Sequence, residues 1–360
     1  MKLSLFLIGT YMGPFPHGWP APAAAYSPEI AQRSMAHTLE LFRLADELGF
    51  DWVSVAEHHF APLSLTPNPM VLAGALTQVV RRARIAILGP TLPILNPIRV
   101  AEEFAMLDTM SGGRIIAGLM RGTPNEYVTY TINPAESRER FQEGVEIIRR
   151  AWTEPEPFGW EGRYYRYRAV SIWPRPVQQP HPPLYMSGSS PESGEYAAAN
   201  HLGLGLAFTN VPLAAKNARY YRERAAAHGW EPGSEQIIYR AAVHVASTDQ
   251  EAAEDLGPGG TRGPQTIGGL TLESAVTETG YYGRDLSVAK ERLMPHTLRE
   301  RVELGELLLG SPESVIAQAE RMKQAIGAGV LDLSLAVRGA KMRQALELFG
   351  TKVLPRLQEL

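Results

Sequence analysis

The chain has no cysteine among its 360 residues, which excludes a disulfide framework and any thiolate metal site but leaves the redox compartment open. It has no excess of either charge. With 35 basic and 38 acidic residues the net charge is −3, and there is no basic footprint for nucleic acid. No apolar run approaches the ~20 residues of a membrane span. Met1 to Ile8 is short, lacks a small-residue cleavage site and reads as a first strand rather than a leader. The expectation is a cytoplasmic protein that engages neither nucleic acid nor membrane. Neither GxGxxG nor GxxxxGKS/T follows a candidate strand, which weakens dinucleotide-fold and P-loop readings.

What the chain does contain is a regular alternation of strand-like and helix-like segments. Leu3 to Ile8, Trp52 to Val55, Ile85 to Leu88, Ile115 to Leu119, Leu184 to Met186, Leu204 to Phe208, Ile237 to Val245 and Leu331 to Leu335 are eight candidate strands. Continuous apolar strands joined by amphipathic helices predict a parallel sheet covered by helices. Eight such units predict a single α/β domain over 1–360, a (β/α)8 TIM barrel with insertions between strands 4 and 5 and after strand 7. An open doubly wound sheet is the alternative. Helix starts are marked at Ser27-Pro28, Asn68-Pro69, Asn96-Pro97, Ser190-Pro191 and Ser311-Pro312, each an N-cap side chain followed by proline. Two segments break the pattern. Residues 154–183, rich in proline and tyrosine, read as an extended insertion, and the glycine-rich 257–305 reads as a mobile lid insertion.

Ala56-Glu57-His58-His59-Phe60 leaves the second strand with two imidazoles and a carboxylate, groups that are costly to bury without partners. Adjacent histidines chelate one ion poorly, and no further His or carboxylate pattern completes a set, so no metal is expected. A hydrolase would need paired strand-end carboxylates, and only Glu57 stands at such a place. Acid/base chemistry and a buried polar cluster remain. The charged stretch Arg138 to Arg150 reads as a solvated helix face.

A series of short motifs, in order, carries a family resemblance. Glu57-His58-His59-Phe60, Asn68-Pro69, Leu92-Pro93 with Asn96-Pro97-Ile98-Arg99, Leu107 to Arg114, Met120-Arg121-Gly122, Gly188-Ser189-Ser190 and Val353 to Leu357 resemble the bacterial luciferase-like flavin-dependent monooxygenases. The resemblance implies a barrel that binds reduced FMN, or in some branches a deazaflavin, at its C-terminal strand ends. It further implies dioxygen as co-substrate, a flavin 4a-hydroperoxide or peroxide intermediate, and a small organic substrate. A separate flavin reductase would supply the reduced FMN, and a homodimer would form through helices 69–80 and 97–110.

By the same resemblance Ala56, Gly89, Met120, Arg121, Gly188, Ser189, Ser190 and Ser193 fall at the cofactor, with Arg121 and the three serines at its phosphate. Hydroxyls, helix-start N–H groups and a guanidinium suit a phosphate dianion, although the luciferase carries a glutamate where this chain has Ser189. His58 matches a catalytic histidine and is expected to move a proton, since imidazole titrates in the useful range. Glu57 and His59 are expected as supporting catalytic residues. Met120 stands where the luciferase carries a cysteine, so thiol-dependent behaviour is not expected. Gly89-Pro90 lies where the family often bends a peptide bond toward the flavin, and reads either as a cis bond or as a plain turn. Two other functions stay open: a deazaflavin-dependent oxidoreductase by hydride transfer, and a non-catalytic barrel subunit of a luciferase-like heterodimer.

Overall fold

The structure, a computed structural model, describes residues 1–14, 20–188, 190–207, 209–257 and 296–360. Its strands are β1 (Lys2–Phe6), β2 (Trp52–Val55), β3 (Arg84–Thr91), β4 (Ile115–Met120), β5 (Phe158–Glu161), β6 (Arg166–Val170), β7 (Leu184–Ser187), β8 (Gly203–Leu206), β9 (Ile237–Val245), β10 (Leu307–Gly310) and β11 (Val330–Leu335). Parallel pairing runs β9-β11-β1-β2-β3-β4-β7-β8, and β8 pairs with β9 to close the ring. This is the (β/α)8 barrel that the alternation predicts, and each of the eight apolar runs supplies one stave. The predicted strand Leu204 to Phe208 stops at Leu206, and Phe208 lies outside the described residues.

One strand was not anticipated. β9 is nine residues long and outlasts β8, which pairs with it only as far as Tyr239. The edge that β8 vacates is taken by β10, Leu307 to Gly310 lying parallel to Ala242 to Val245. Backbone groups freed on one side of a strand need partners, and three successive leucines deliver them.

The helices are α1 (Pro28–Leu48), α2 (Pro69–Val79), α3 (Pro97–Ser111), α4 (Pro124–Tyr130), α5 (Ser137–Thr153), α6 (Pro191–Ala199), α7 (Val211–Ala227) and α8 (Asp249–Leu256), followed by further helical segments near the C-terminus. The asparagine caps form as predicted. Asn68 Oδ1 accepts from the N–H groups of Met70 and Val71 at 2.9 and 3.3 Å, and Asn96 Oδ1 from Ile98 and Arg99 at 3.0 and 3.3 Å. α1 stops at Gly49, whose φ of 94° is left-handed, a conformation glycine adopts without a Cβ penalty.

Insertion 154–183 contains the antiparallel hairpin β5–β6. Glu143 of α5 pins it, accepting from Trp160 Nε1 and from the Tyr164 and Tyr165 N–H groups, each at 3.0 Å. Among the described residues the cis peptide bonds are Trp173–Pro174 and Gln179–Pro180, so Gly89–Pro90 is trans. Of the predicted lid 257–305, residues 258–295 lie outside the described residues. The elements that flank it are joined: Asp249, opening α8, accepts from Ser311 N at 2.7 Å and Ser314 Oγ at 3.0 Å, just after β10.

Strand alternation divides the side chains. Leu3 and Leu5 join the core shared with the helices. Trp52, Ala86, Leu88, Ile116, Tyr185, Ile238 and Val330 form a separate apolar cluster inside the barrel. Next to it, toward the C-terminal mouth, sit Ser4, Ser54, Arg240 and Asp332, joined by hydrogen bonds.

Candidate active site

A cleft enclosing about 1250 Å³, open mouth included, lies at the C-terminal ends of the strands. That is the face where barrel enzymes carry their chemistry, because the βα loops converge there.

At one end the cleft is built from hydrogen-bond donors. Ser190 caps α6: its Oγ accepts from Ser193 N at 3.3 Å and donates to Ser193 Oγ at 3.2 Å. Arg121, leaving β4, and Arg138, on the first turn of α5, line the same cleft. Burial pushes the Arg138 pKa down first, and the charge of Arg121 pushes it down further, against a smaller opposing pull from Glu192. Two guanidinia that repel one another, beside hydroxyls and a helix start, are the donor set that could hold an anion. The expected solvated face at Arg138 is thereby corrected, because the first turn of α5 meets the barrel mouth instead of water. Tyr127 of α4 is buried and donates its O–H to the Arg121 carbonyl, fixing the backbone there. Burial raises that phenol to about 12, and it stays neutral.

Two glycines set the close approaches at the strand ends. A Cβ on Gly89 would lie 2.7 Å from Glu57 N and 2.9 Å from Ala56 Cα, so the end of β3 rests on the backbone leaving β2. A Cβ on Gly188 would lie 2.3 Å from Leu204 Cδ1. Ala56, Leu88, Gly89 and Met120 form a low wall of the cleft. Ser189 lies outside the described residues.

His58 lines the same cleft, its side chain 28% exposed. Its Nδ1 stands 3.7 Å from Oε1 of Glu126, a carboxylate only 3% exposed on α4. Glu126 also accepts from Thr123 N at 2.8 Å and from the Thr123 hydroxyl, closing a capping box. Burial alone would raise its pKa; the neighbouring His58 imidazole and the hydrogen bonds from Thr123 outweigh that and hold it below the ordinary carboxylate value. Glu57 and His59 are brought to each other rather than to His58. His59 Nε2 is 3.2 Å from Glu57 Oε1, Glu57 Oε2 accepts from Thr91 N at 3.3 Å, and His59 Nδ1 lies 3.4 Å from the Tyr130 hydroxyl. Both are buried, joining the ends of β2 and β3 to α4.

The floor is an ion pair. Arg240 Nε and Nη2 reach Asp332 Oδ2 at 2.7 and 2.6 Å. Sequence reasoning missed Glu126, Arg138, Arg240 and Asp332. The spacing Thr123-x-x-Glu126 is a capping-box signal, and a charge inside an apolar strand marks Arg240 and Asp332. Nothing in the sequence separates Arg138 from its charged neighbours. Among the described residues no three His, Asp or Glu side chains are grouped as metal ligands.

Fold and cleft together define a (β/α)8 barrel with a cationic, donor-rich patch and an imidazole in one cavity. The chain belongs to the luciferase-like monooxygenase family, whose sequence pattern matches residues 16–330. It is 26% identical to 4-hydroxyprotoasukamycin monooxygenase of Streptomyces nodosus subsp. asukaensis, over 90% of this chain and 87% of that protein. Other curated relatives are matched over only about half their length, 49%, 45% and 49% for three of them. Among solved structures, monooxygenase RslO1 of Streptomyces bottropensis superposes with a TM-score of 0.77 at 28% identity, covering 99% of both chains. The FMN-bound oxygenating constituent of 3,6-diketocamphane monooxygenase from Pseudomonas putida gives 0.75 at 21% identity, over 99% and 98% of the chains. An F420-dependent secondary alcohol dehydrogenase shares the fold, with a TM-score of 0.69 at 20% identity over 99% and 98%.

Proposed function

We propose that this chain is the oxygenase component of a flavin-dependent monooxygenase, a single domain that takes reduced FMN from a separate flavin reductase and oxygenates a small organic substrate with dioxygen. The observation that carries this reading is the sharing of one cleft by the donor-rich end at Arg121, Arg138, Ser190 and Ser193 and by His58. The donor set suits the phosphate of FMN: two guanidinia neutralise the dianion, and Ser190, Ser193 and the first N–H groups of α6 bond its oxygens. Gly188 lies in the strand-to-helix connection just before Ser190. Ala56, Gly89 and Met120 supply a low wall for a flat ring system.

Bound in reduced form, the flavin supplies the electron pair that activates dioxygen. The chain's own residues govern protons and water. Glu126 faces His58 Nδ1 at 3.7 Å and orients the imidazole, which leaves Nε2 to give or take a proton at the substrate. Glu57 and His59 support this indirectly, by holding the strand ends from which His58 projects. Leu88, Met186 and Leu206 line the cavity with apolar surface that excludes water. A homodimer through α2 and α3 is supported by Val71, Met106 and Met110, large apolar side chains left exposed on those helices. No helix among the described residues is long and apolar enough to cross a membrane, in keeping with a cytoplasmic enzyme.

Anaerobic titration with reduced FMN and with reduced deazaflavin, followed by admission of oxygen, tests the reading. FMN binding with oxygen uptake is expected. Tight deazaflavin binding without FMN affinity would overturn it in favour of hydride transfer. His58→Ala is expected to lower coupled turnover by about 100-fold or more and to release hydrogen peroxide, with thermal unfolding unchanged. Unchanged coupled turnover would remove His58 from the chemistry.

A further inference from the structure

We propose that the floor of the cleft is a substrate subsite, in which the free edge of the Arg240 guanidinium holds a neutral carbonyl oxygen of the substrate. The proposal rests on reading the cleft as the oxygenation site. Register brings the groups together: Arg240 of β9 stands opposite Asp332 of β11, and Asp332 opposite Ser4 of β1. Asp332 is fully buried and both its oxygens are engaged, Oδ2 by Arg240 Nε and Nη2 and Oδ1 by Ser54 Oγ at 2.5 Å. Ser4 Oγ donates to Ser54 Oγ at 3.2 Å behind it. One face of the guanidinium lies 3.4 Å from the centre of the Phe6 ring, a cation–π contact. One edge and one face of Arg240 are thus fixed. Of the five N–H groups a guanidinium carries, Asp332 commits those on one edge, while Arg240 remains 15% exposed and lines the cleft.

Stability does not account for this arrangement. Apolar residues of equal volume replace a buried ion pair at no cost or with a gain, and the neighbouring inward positions Ala86, Ile116 and Ile238 are apolar. What an apolar replacement would lack is a donor edge held rigidly by side chains from four strands, β1, β2, β9 and β11. Arginine keeps its proton at any working pH, so Arg240 orients a ligand and is not an acid. The pair is neutral overall. A second anion would bring uncompensated charge to a half-buried floor, whereas a ketone, aldehyde, ester or amide oxygen gains a charge-assisted bond and adds none. Leu88, Met186 and Leu206 would receive the carbon skeleton.

The test uses flavin-free full-length protein and two probes of matched shape, cyclohexanone and methylenecyclohexane, with affinities from ligand-observed NMR. Wild type is expected to favour the ketone by about tenfold or more, the worth of a hydrogen bond to a charged group. Arg240→Met combined with Asp332→Asn removes the pair as a unit and is expected to bring the probes level, with reduced-FMN affinity retained. Arg240→Lys keeps the charge without the fork and is expected to leave a reduced preference, which serves if the double variant fails to fold. A wild type without ketone preference, or a folded variant that keeps it, overturns the proposal. So does a variant that loses reduced-FMN affinity but not ketone preference, because the edge would then face the cofactor. A ketone preference that depends on Arg240, in a protein with no affinity for reduced FMN, would sink the flavin reading and leave the subsite standing.

Discussion

At the scale of the residue, the carboxylate that serves His58 comes from a helix and not from its neighbour in sequence. Glu57 is two atoms of backbone away yet turns to His59 and Thr91, while Glu126 arrives from α4, 68 positions further on. Because its pKa is held below the ordinary value, Glu126 adds stability that is fully present above the usual carboxylate range, about 4.3, and is lost as pH falls through the lowered value. Glu126→Gln should therefore be less stable than wild type near neutral pH, with a gap that closes on acidification. Urea unfolding from pH 7 to 3 measures it, and a gap that widens toward acid would contradict the assignment. Turnover should fall by about tenfold or more with reduced-FMN affinity retained, since Glu126 acts through His58. Arg138 illustrates the limit of reading residues singly: Arg138, Glu139 and Arg140 are alike in sequence, and only the meeting of α5 with the barrel mouth turns the first of them inward.

Among the secondary-structure elements, the close approach of β2 and β3 carries the site. Gly89→Ala would drive a Cβ against the backbone of Ala56 and Glu57, which cannot rotate aside as a side chain does. We expect a loss of about 1–3 kcal/mol in urea unfolding, together with weakened reduced-FMN affinity, because the displaced segment carries His58. Full stability with intact affinity would show that the strand ends part freely. The eight staves were legible because strands buried on both faces leave uninterrupted apolar runs, and the asparagine caps because their chemistry is local. β10 was not legible, for three leucines in a glycine-rich neighbourhood take their meaning from the edge that β8 abandons. Arg240 and Asp332 were visible as charges in apolar strands, but their pairing depends on a register that only the closed barrel supplies.

On the scale of the whole molecule, the outer faces of α2 and α3 carry Val71, 72% exposed, and Met106, 54% exposed. Burying such side chains against a second copy stabilises by roughly 1.5–3 kcal/mol each. If the proposed homodimer forms there, wild type sediments as a dimer and Val71→Lys with Met106→Lys as a monomer in sedimentation equilibrium, with far-ultraviolet circular dichroism preserved; a wild-type monomer, or a variant that stays dimeric, overturns that interface. The joint made by Asp249 with Ser311 and Ser314 bears on the history of the chain. It ties α8 to the turn after β10, so the two elements stay together whatever the length of the stretch between them, and the entropy of closing that stretch grows only logarithmically, about 0.6 kcal/mol for each doubling of length. Descendants of this barrel are therefore free to lengthen, shorten or exchange that stretch at small thermodynamic cost, without remaking the staves.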